Sequence, residues 1–248
     1  MILASISSSP RRLATVGLVA CLVAACAVPT NPPTPSPSPL PTIPAAAPSY
    51  TLGPAPSGCP TSAPAAMAAG TTATVTMTTN YGNIVIKVDA TLGPNAAGMF
   101  VALARCGYYD NVLFHRIVPG FIIQTGDGVY ARLPSLSPDK FGQGGPGWTI
   151  TDDPVTQKYV RGMLAVANLG TANSGDSQFF IVLDDSAQDS LGADGYNNYA
   201  QFGNVTSGMD VVDKIAQIQV GGDPAAESIS PDMAVQPAVI TSTTVTVP

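Results

Sequence analysis

One stretch, VLFHRIVPGFIIQTGD over residues 112–127, constrains the fold more than any other part of the chain. Two runs of strong β-formers flank Pro119-Gly120, the pattern of a β-hairpin. Set into those apolar runs are Arg116, Gln124 and His115, the chain's only histidine. Isolated polar residues at fixed places in a strand pattern point to a sheet face used for more than packing. The register decides which of them share that face. A two-residue turn would set Arg116 opposite Ile123. A three-residue turn, Pro119-Gly120-Phe121, sets Arg116 opposite Gln124. The second is preferred, because it gathers Arg116, Val118, Ile122 and Gln124 on one face and puts His115 behind them.

This stretch resembles the cyclophilin family of peptidyl-prolyl isomerases. The resemblance rests on Phe114-His115-Arg116, Pro119-Gly120-Phe121 and Gln124-Thr125-Gly126-Asp127. A second block stands at 162–170, GMLAVANLG, followed by SQFFI at 177–181. A third, weaker block is Tyr199-Ala200-Gln201-Phe202-Gly203-Asn204-Val205. Three blocks in order, over roughly residues 73–247, are more specific than any one short motif.

The 248 residues allow one or two domains. Thirteen of the 24 prolines stand in residues 28–64, among Ser, Thr and Ala. Such a tract cannot bury a core and favours polyproline II or disorder. Extended, it reaches on the order of 100 Å, at about 3.1 Å per residue. Before it, Arg11-Arg12 and the apolar run 13–25 read as an export signal, too short to favour a transmembrane helix. Val23-Ala24-Ala25-Cys26 resembles a bacterial lipobox, with cleavage before Cys26 and acyl chains such as palmitate attached there. An ordinary signal peptide cut near Ala25 is the alternative. The expected domains are a lipoprotein signal peptide at 1–25, lipidated Cys26 with a disordered Pro-rich linker at 26–69, and a cyclophilin-like isomerase domain at 70–248. The expected location is the bacterial cell envelope, lipid-anchored on the extracytoplasmic face. With Cys21 lost in the signal and Cys26 acylated, Cys59 and Cys106 remain, an even pair in an exported protein. A disulfide between them would staple the end of the linker to the domain; two free thiols are the alternative. The net charge of −6 argues against nucleic acid as the main partner.

In the folded part, alternation over 73–78 and 84–88 around a turn at 80–83 reads as two strands. Residues 94–106 read as a helix, with Pro94 near its start and Gly107 at its end. Residues 207–218 read as a second helix, with Ser207 and Asp210 forming a capping box. Strands are expected over 163–168, 178–183 and 238–247. Period 2 then puts Gln178 and Phe180 on one face, and Phe179 and Ile181 on the other. The Gly-rich run 142–148 lacks the Lys-Ser/Thr and helix of a phosphate loop, so it reads as a structural loop. The chain is mainly β, and the pattern suggests a closed antiparallel barrel capped by two α-helices. The resemblance implies the same fold.

The chemistry implied is rotation about an X-Pro amide, whose resonance barrier is about 18–20 kcal/mol. No bond is made or broken. The catalyst must favour the twisted state, in which the prolyl nitrogen gains a lone pair, and a rigid charged donor suits that task. By resemblance, Arg116 is that donor. Phe121, Ile122 and Phe180 line the proline pocket, Gln124 holds a substrate carbonyl, and the Asn168 backbone pairs with the peptide. Ala167 and Gln178 flank the groove, Leu191 reaches it, and Tyr199 stands where many relatives carry a histidine. The resemblance implies no cofactor and no metal; a single histidine cannot build a His-rich metal site. The expected partners are proline-containing segments of exported proteins, the membrane through the lipid anchor, and no second copy of the chain.

Two other functions compete. Gly175-Asp176-Ser177 with His115 faintly matches a serine hydrolase, but Gln178-Phe179 replace the glycines that usually follow. A non-catalytic chaperone or adhesin module on the cell surface, holding proline peptides, needs the same pocket as the enzyme.

Overall fold

A computed structural model describes residues 56–192, 199–218 and 237–247. The signal, Cys26 and residues 27–55 lie outside them. In chain order the described residues form β1 (Thr72–Thr79), β2 (Gly82–Asp89), α1 (Pro94–Arg105), β3 (Val112–Leu113), β4 (Arg116–Val118) and β5 (Ile122–Thr125). There follow β6 (Ala131–Arg132), β7 (Ser135–Leu136), β8 (Met163–Val166), β9 (Phe179–Val182), the one-turn α2 (Gln188–Leu191), β10 (Gln201–Ser207), α3 (Met209–Ala216) and β11 (Val239–Thr246).

All eleven strands join one curled antiparallel sheet in the order β4-β5-β9-β8-β10-β2-β1-β11-β3-β6-β7. β3 and β4 are far apart in that order but nearly continuous in the chain. The two residues between them divide their backbone bonds. Phe114 donates its N–H to Ala238 beside β11, at 3.0 Å, and His115 donates to Gln124 in β5, at 3.1 Å. The sheet is thus a curled half-barrel rather than the closed barrel expected: its end strands β4 and β7 share no ladder, and the chain at 114–115 links the β11 side to β5, with Arg116 the next residue.

Alternation drives the strands. Ala73, Val75 and Met77 of β1 and Ile84, Ile86 and Val88 of β2 are buried in the interior. Phe100, Tyr109, Phe179 and Phe202 meet there, with Phe100 ring centroids 5.4, 5.1 and 4.8 Å from the other three. Such pairs contribute about 0.5–1.5 kcal/mol each beyond the area they bury. Helix α1 has no side-chain cap of its own. Instead Asp153 accepts from the N–H groups of Asn95 and Ala96, at 3.2 and 2.8 Å, satisfying two orphan donors of its first turn.

Helix α3 starts later than expected. Ser207 is the last residue of β10, paired with Val85, and Gly208 occupies the cap position at φ 90° with no side-chain bond. The Ser207–Asp210 capping box does not form, because Ser207 stays in the ladder and the helix begins one residue later, with Gly208 at the cap. Asp210 instead pairs with Lys214 at 3.0 Å.

Cys59 and Cys106 are joined by a disulfide. Residues 56–70 are tied to the sheet domain, although 56–69 were expected in the linker. Met67 donates its N–H to Pro94 at 2.9 Å, and Trp148 Nε1 donates to the Pro60 carbonyl at 3.1 Å. A Cβ on Gly98 would lie 2.4 Å from the Ala65 carbonyl, so glycine lets this arm lie close along α1.

Candidate active site

The hairpin of β4 and β5 has the three-residue turn. Arg116 pairs with Gln124, Ile117 with Ile123 and Val118 with Ile122, and Phe121 donates its N–H to Val118 at 3.0 Å. The neighbouring ladders extend that row. Gln124 pairs with Phe180 of β9, and Phe180 with Ala165 of β8. Arg116, Gln124 and Phe180 thus stand side by side on adjacent strands, about 10 Å from first to third at the usual strand spacing. Parity separates the two phenylalanines: Phe179 is in the interior cluster, and Phe180 is in a second cluster on the outer face with Ile122, Tyr159, Met163, Ala165 and Leu191.

Over this outer face lies an open cavity of about 300 Å³, lined by Arg116, Phe121, Ile122, Gln124, Ala167, Asn168, Phe180, Ser190, Leu191 and Tyr199. One wall comes from the β4–β5 turn, which supplies Phe121. The other comes from α2 and the start of β10. Tyr199 stands edge-on to Phe180, with centroids 5.4 Å apart. Its carbonyl accepts from the Tyr159 hydroxyl at 3.0 Å, which fixes its backbone. Ser190 had no place in the sequence reading. It lines the cavity because 188–191 make one helical turn, too short to show periodicity. Ala193 to Asn198, between Gly192 and Tyr199, lie outside the described residues.

Gln178 does not line the cavity. It is buried behind Gln124, whose Nε2 donates to its Oε1 at 3.0 Å. The Gln178 Nε2 donates to the carbonyls of Gly142 and Gly144, 2.9 Å each. Carbonyls can only accept, so the Gln178 amide has one orientation, and Gln124 must present its N–H side to it. Asp127 is wholly buried and accepts from the N–H groups of Val129, Tyr130, Gly142 and Gly144. The glycines follow from this: a Cβ on Gly144 would lie 2.1 Å from Asp127 Oδ1, and one on Gly145 2.0 Å from Asp176 Oδ2.

His115 is buried behind the groove face, and neither ring nitrogen has a partner in hydrogen-bonding geometry. Burial pushes the His115 ring down to about 4, against the weaker opposing pull of Asp127. The ring is neutral at physiological pH. Burial also raises the Asp176 carboxyl to about 6, although it accepts the Gln178 N–H.

The outer face of the curled antiparallel sheet thus carries a largely apolar groove with Arg116 at its edge. The sequence pattern of cyclophilin type peptidyl-prolyl cis-trans isomerases matches residues 74–245, and the chain belongs to that family. It is 34% identical over 154 residues to peptidyl-prolyl cis-trans isomerase A of Dickeya dadantii, covering 62% of this chain and 76% of that one. A probable peptidyl-prolyl cis-trans isomerase of Brucella abortus is 34% identical over 152 residues, covering 60% of this chain and 74% of its own. The crystal structure of a Cryptosporidium parvum cyclophilin type isomerase superposes with a TM-score of 0.54 at 28% identity, over 71% of this chain and 98% of that one. A second crystal structure of that protein, in the presence of the dipeptide Ala-Pro, gives a TM-score of 0.52 at 28% identity, over 68% and 96%. This chain is accordingly a peptidyl-prolyl cis-trans isomerase acting through its cyclophilin domain.

Proposed function

We propose that the groove takes an extended segment with its prolyl ring against Phe121, Ile122, Phe180 and Leu191, and that Arg116 stabilises the twisted amide. The row Arg116–Gln124–Phe180 across three adjacent strands carries this reading. It sets a rigid, permanently charged donor one strand from an amide and two from an aromatic wall. A donor fixed by the sheet interacts more strongly with the pyramidal prolyl nitrogen of the twisted state than with either planar isomer. Gln124 uses one N–H on Gln178, and its second N–H donates to a substrate carbonyl. The Asn168 backbone, at the end of β8, pairs with the peptide. The Ala-Pro dipeptide used with the Cryptosporidium parvum protein is a ligand of this chemistry, and it supports the same class of ligand here.

The substrates are proline-containing segments of exported proteins. Support comes from the N-terminal signal pattern with Cys26, and from the Pro-rich tract that follows it as a spacer. In this reading acyl chains on Cys26 hold the protein at the extracytoplasmic face of the cell envelope, and the domain acts as a monomer. Phe121→Ala tests the seating of the ring, because Phe121 is only half-buried and its removal leaves the barrel intact. Affinity for a short Ala-Pro peptide is expected to fall about tenfold, the scale of a lost apolar wall. Unchanged affinity would place the proline ring elsewhere.

A further inference from the structure

The Gln178 amide is oriented by the glycine loop, and the loop is held at two places. Near Gly142 and Gly144 the Asp127 carboxylate holds it from inside the domain, at 2.9 and 3.2 Å. At its far end stands Trp148, the chain's only tryptophan, whose Nε1 reaches outward to the Pro60 carbonyl at 3.1 Å. Pro60 follows Cys59, and the Cys59–Cys106 disulfide ties that point to the end of α1. Pro56 to Thr61 face Tyr108 and Pro146 across a second cavity of about 340 Å³, so around Pro146 loop and arm are not closely packed. The Trp148–Pro60 bond bridges them. This arm, 56–70, precedes the residues 74–245 that match the family.

We propose that the arm is a positioning element of the catalytic groove. The disulfide fixes Pro60, Pro60 holds Trp148, and Trp148 holds the far end of the glycine loop. The loop carbonyls set the Gln178 amide, and Gln178 turns the Gln124 N–H groups. Trp148 touches no substrate; it acts through Gln178. The inference rests on the reading of Gln124 as a substrate-holding group.

The test measures kcat and KM on an Ala-Pro peptide with the full chain. It uses Trp148→Phe, Gln178→Ala, their double variant and Gln124→Ala, with melting temperatures alongside. Trp148→Phe keeps an aromatic ring, smaller than the indole, and removes the N–H. It is expected to raise KM about three- to tenfold with kcat within about twofold, the pattern of a lost binding contact. In the Gln178→Ala background the same change is expected to add nothing, because the route is already cut. Should Trp148→Phe not fold, the Cys59→Ala, Cys106→Ala pair releases the arm and carries the same expectation. A melting temperature that falls while KM stays constant makes the arm a stabilising strap and overturns the proposal. Equal effects of Trp148→Phe with and without Gln178 overturn the route. If Gln124→Ala itself leaves KM unchanged, the reading of the groove fails, and this inference with it. If Gln124→Ala raises KM and Trp148→Phe does not, only the arm's role is lost.

Discussion

Gln124 donates an amide hydrogen to Oε1 of Gln178 at 3.0 Å, and the donor lines the groove while the acceptor is buried behind it. The polarity of that bond is fixed two steps away, at the carbonyls of Gly142 and Gly144. A carboxylate in place of the amide keeps the acceptor for Gln124 but removes both donors to the loop. Gln178→Glu should leave both glycine carbonyls without a donor and bury a charge beside them. The cost expected is about 1–3 kcal/mol, read as a lower melting temperature, together with weaker peptide binding. A variant with unchanged melting and affinity would show that the amide donors to the loop do not matter.

The hairpin was legible because one face had to be both polar and apolar, which only the Arg116–Gln124 register provides. The parity of Phe179 and Phe180 followed from period 2 in the same way. The buried place of Gln178 did not, since parity names a face and not a depth. Arm 56–70 was hidden by its composition. Prolines that cannot form a core of their own can still lie along one, and the holding contacts are single bonds such as Trp148 to Pro60. Ser207 failed as a cap because the ladder to Val85 outweighed a local signal.

Two groups, the buried His115 and the half-buried Asp176, give the fold opposite responses to pH. His115 sits at about 4 against an ordinary 6.5, so between those values the unfolded chain binds a proton that the native state does not. Its contribution to stability is lost as pH falls through that window. Asp176 sits at about 6 against 3.8, so the native state holds the extra proton, and that contribution is lost as pH rises through 6. Asp176→Asn should therefore stabilise the protein above pH 6, by at most about 2–3 kcal/mol, and by nothing near pH 4. Melting curves at pH 4 and pH 8 decide it; a gain of equal size at both would contradict the assignment.

The Cys59–Cys106 bond closes a loop with a sequence separation of 47. Chain entropy for such a loop sets a ceiling of about 4 kcal/mol. Cys59→Ala should lower stability to denaturant by about 2–4 kcal/mol. Thiol titration of the unfolded, unreduced wild type should find neither cysteine free, and two free thiols would remove the staple.

The proposed anchor on Cys26 is separable from the enzyme. Cys26→Ala should release the protein from the membrane fraction or leave the precursor unprocessed, while the isomerase rate on a soluble peptide stays the same. Unaltered fractionation and electrophoretic mobility would sink the lipoprotein reading.

The central claim is that Arg116 acts on the twisted amide rather than on the bound peptide. Arg116→Ala removes the donor and leaves the apolar walls, so the measurement is isomerisation rate set beside affinity for the same Ala-Pro peptide. Turnover should fall about 10²–10³-fold, the scale of a lost oxyanion-hole donor, with affinity changed far less. Arg116→Lys should restore little, since a flexible point charge does not reproduce the guanidinium fork. Equal losses of turnover and affinity would make Arg116 a binding residue and contradict the account.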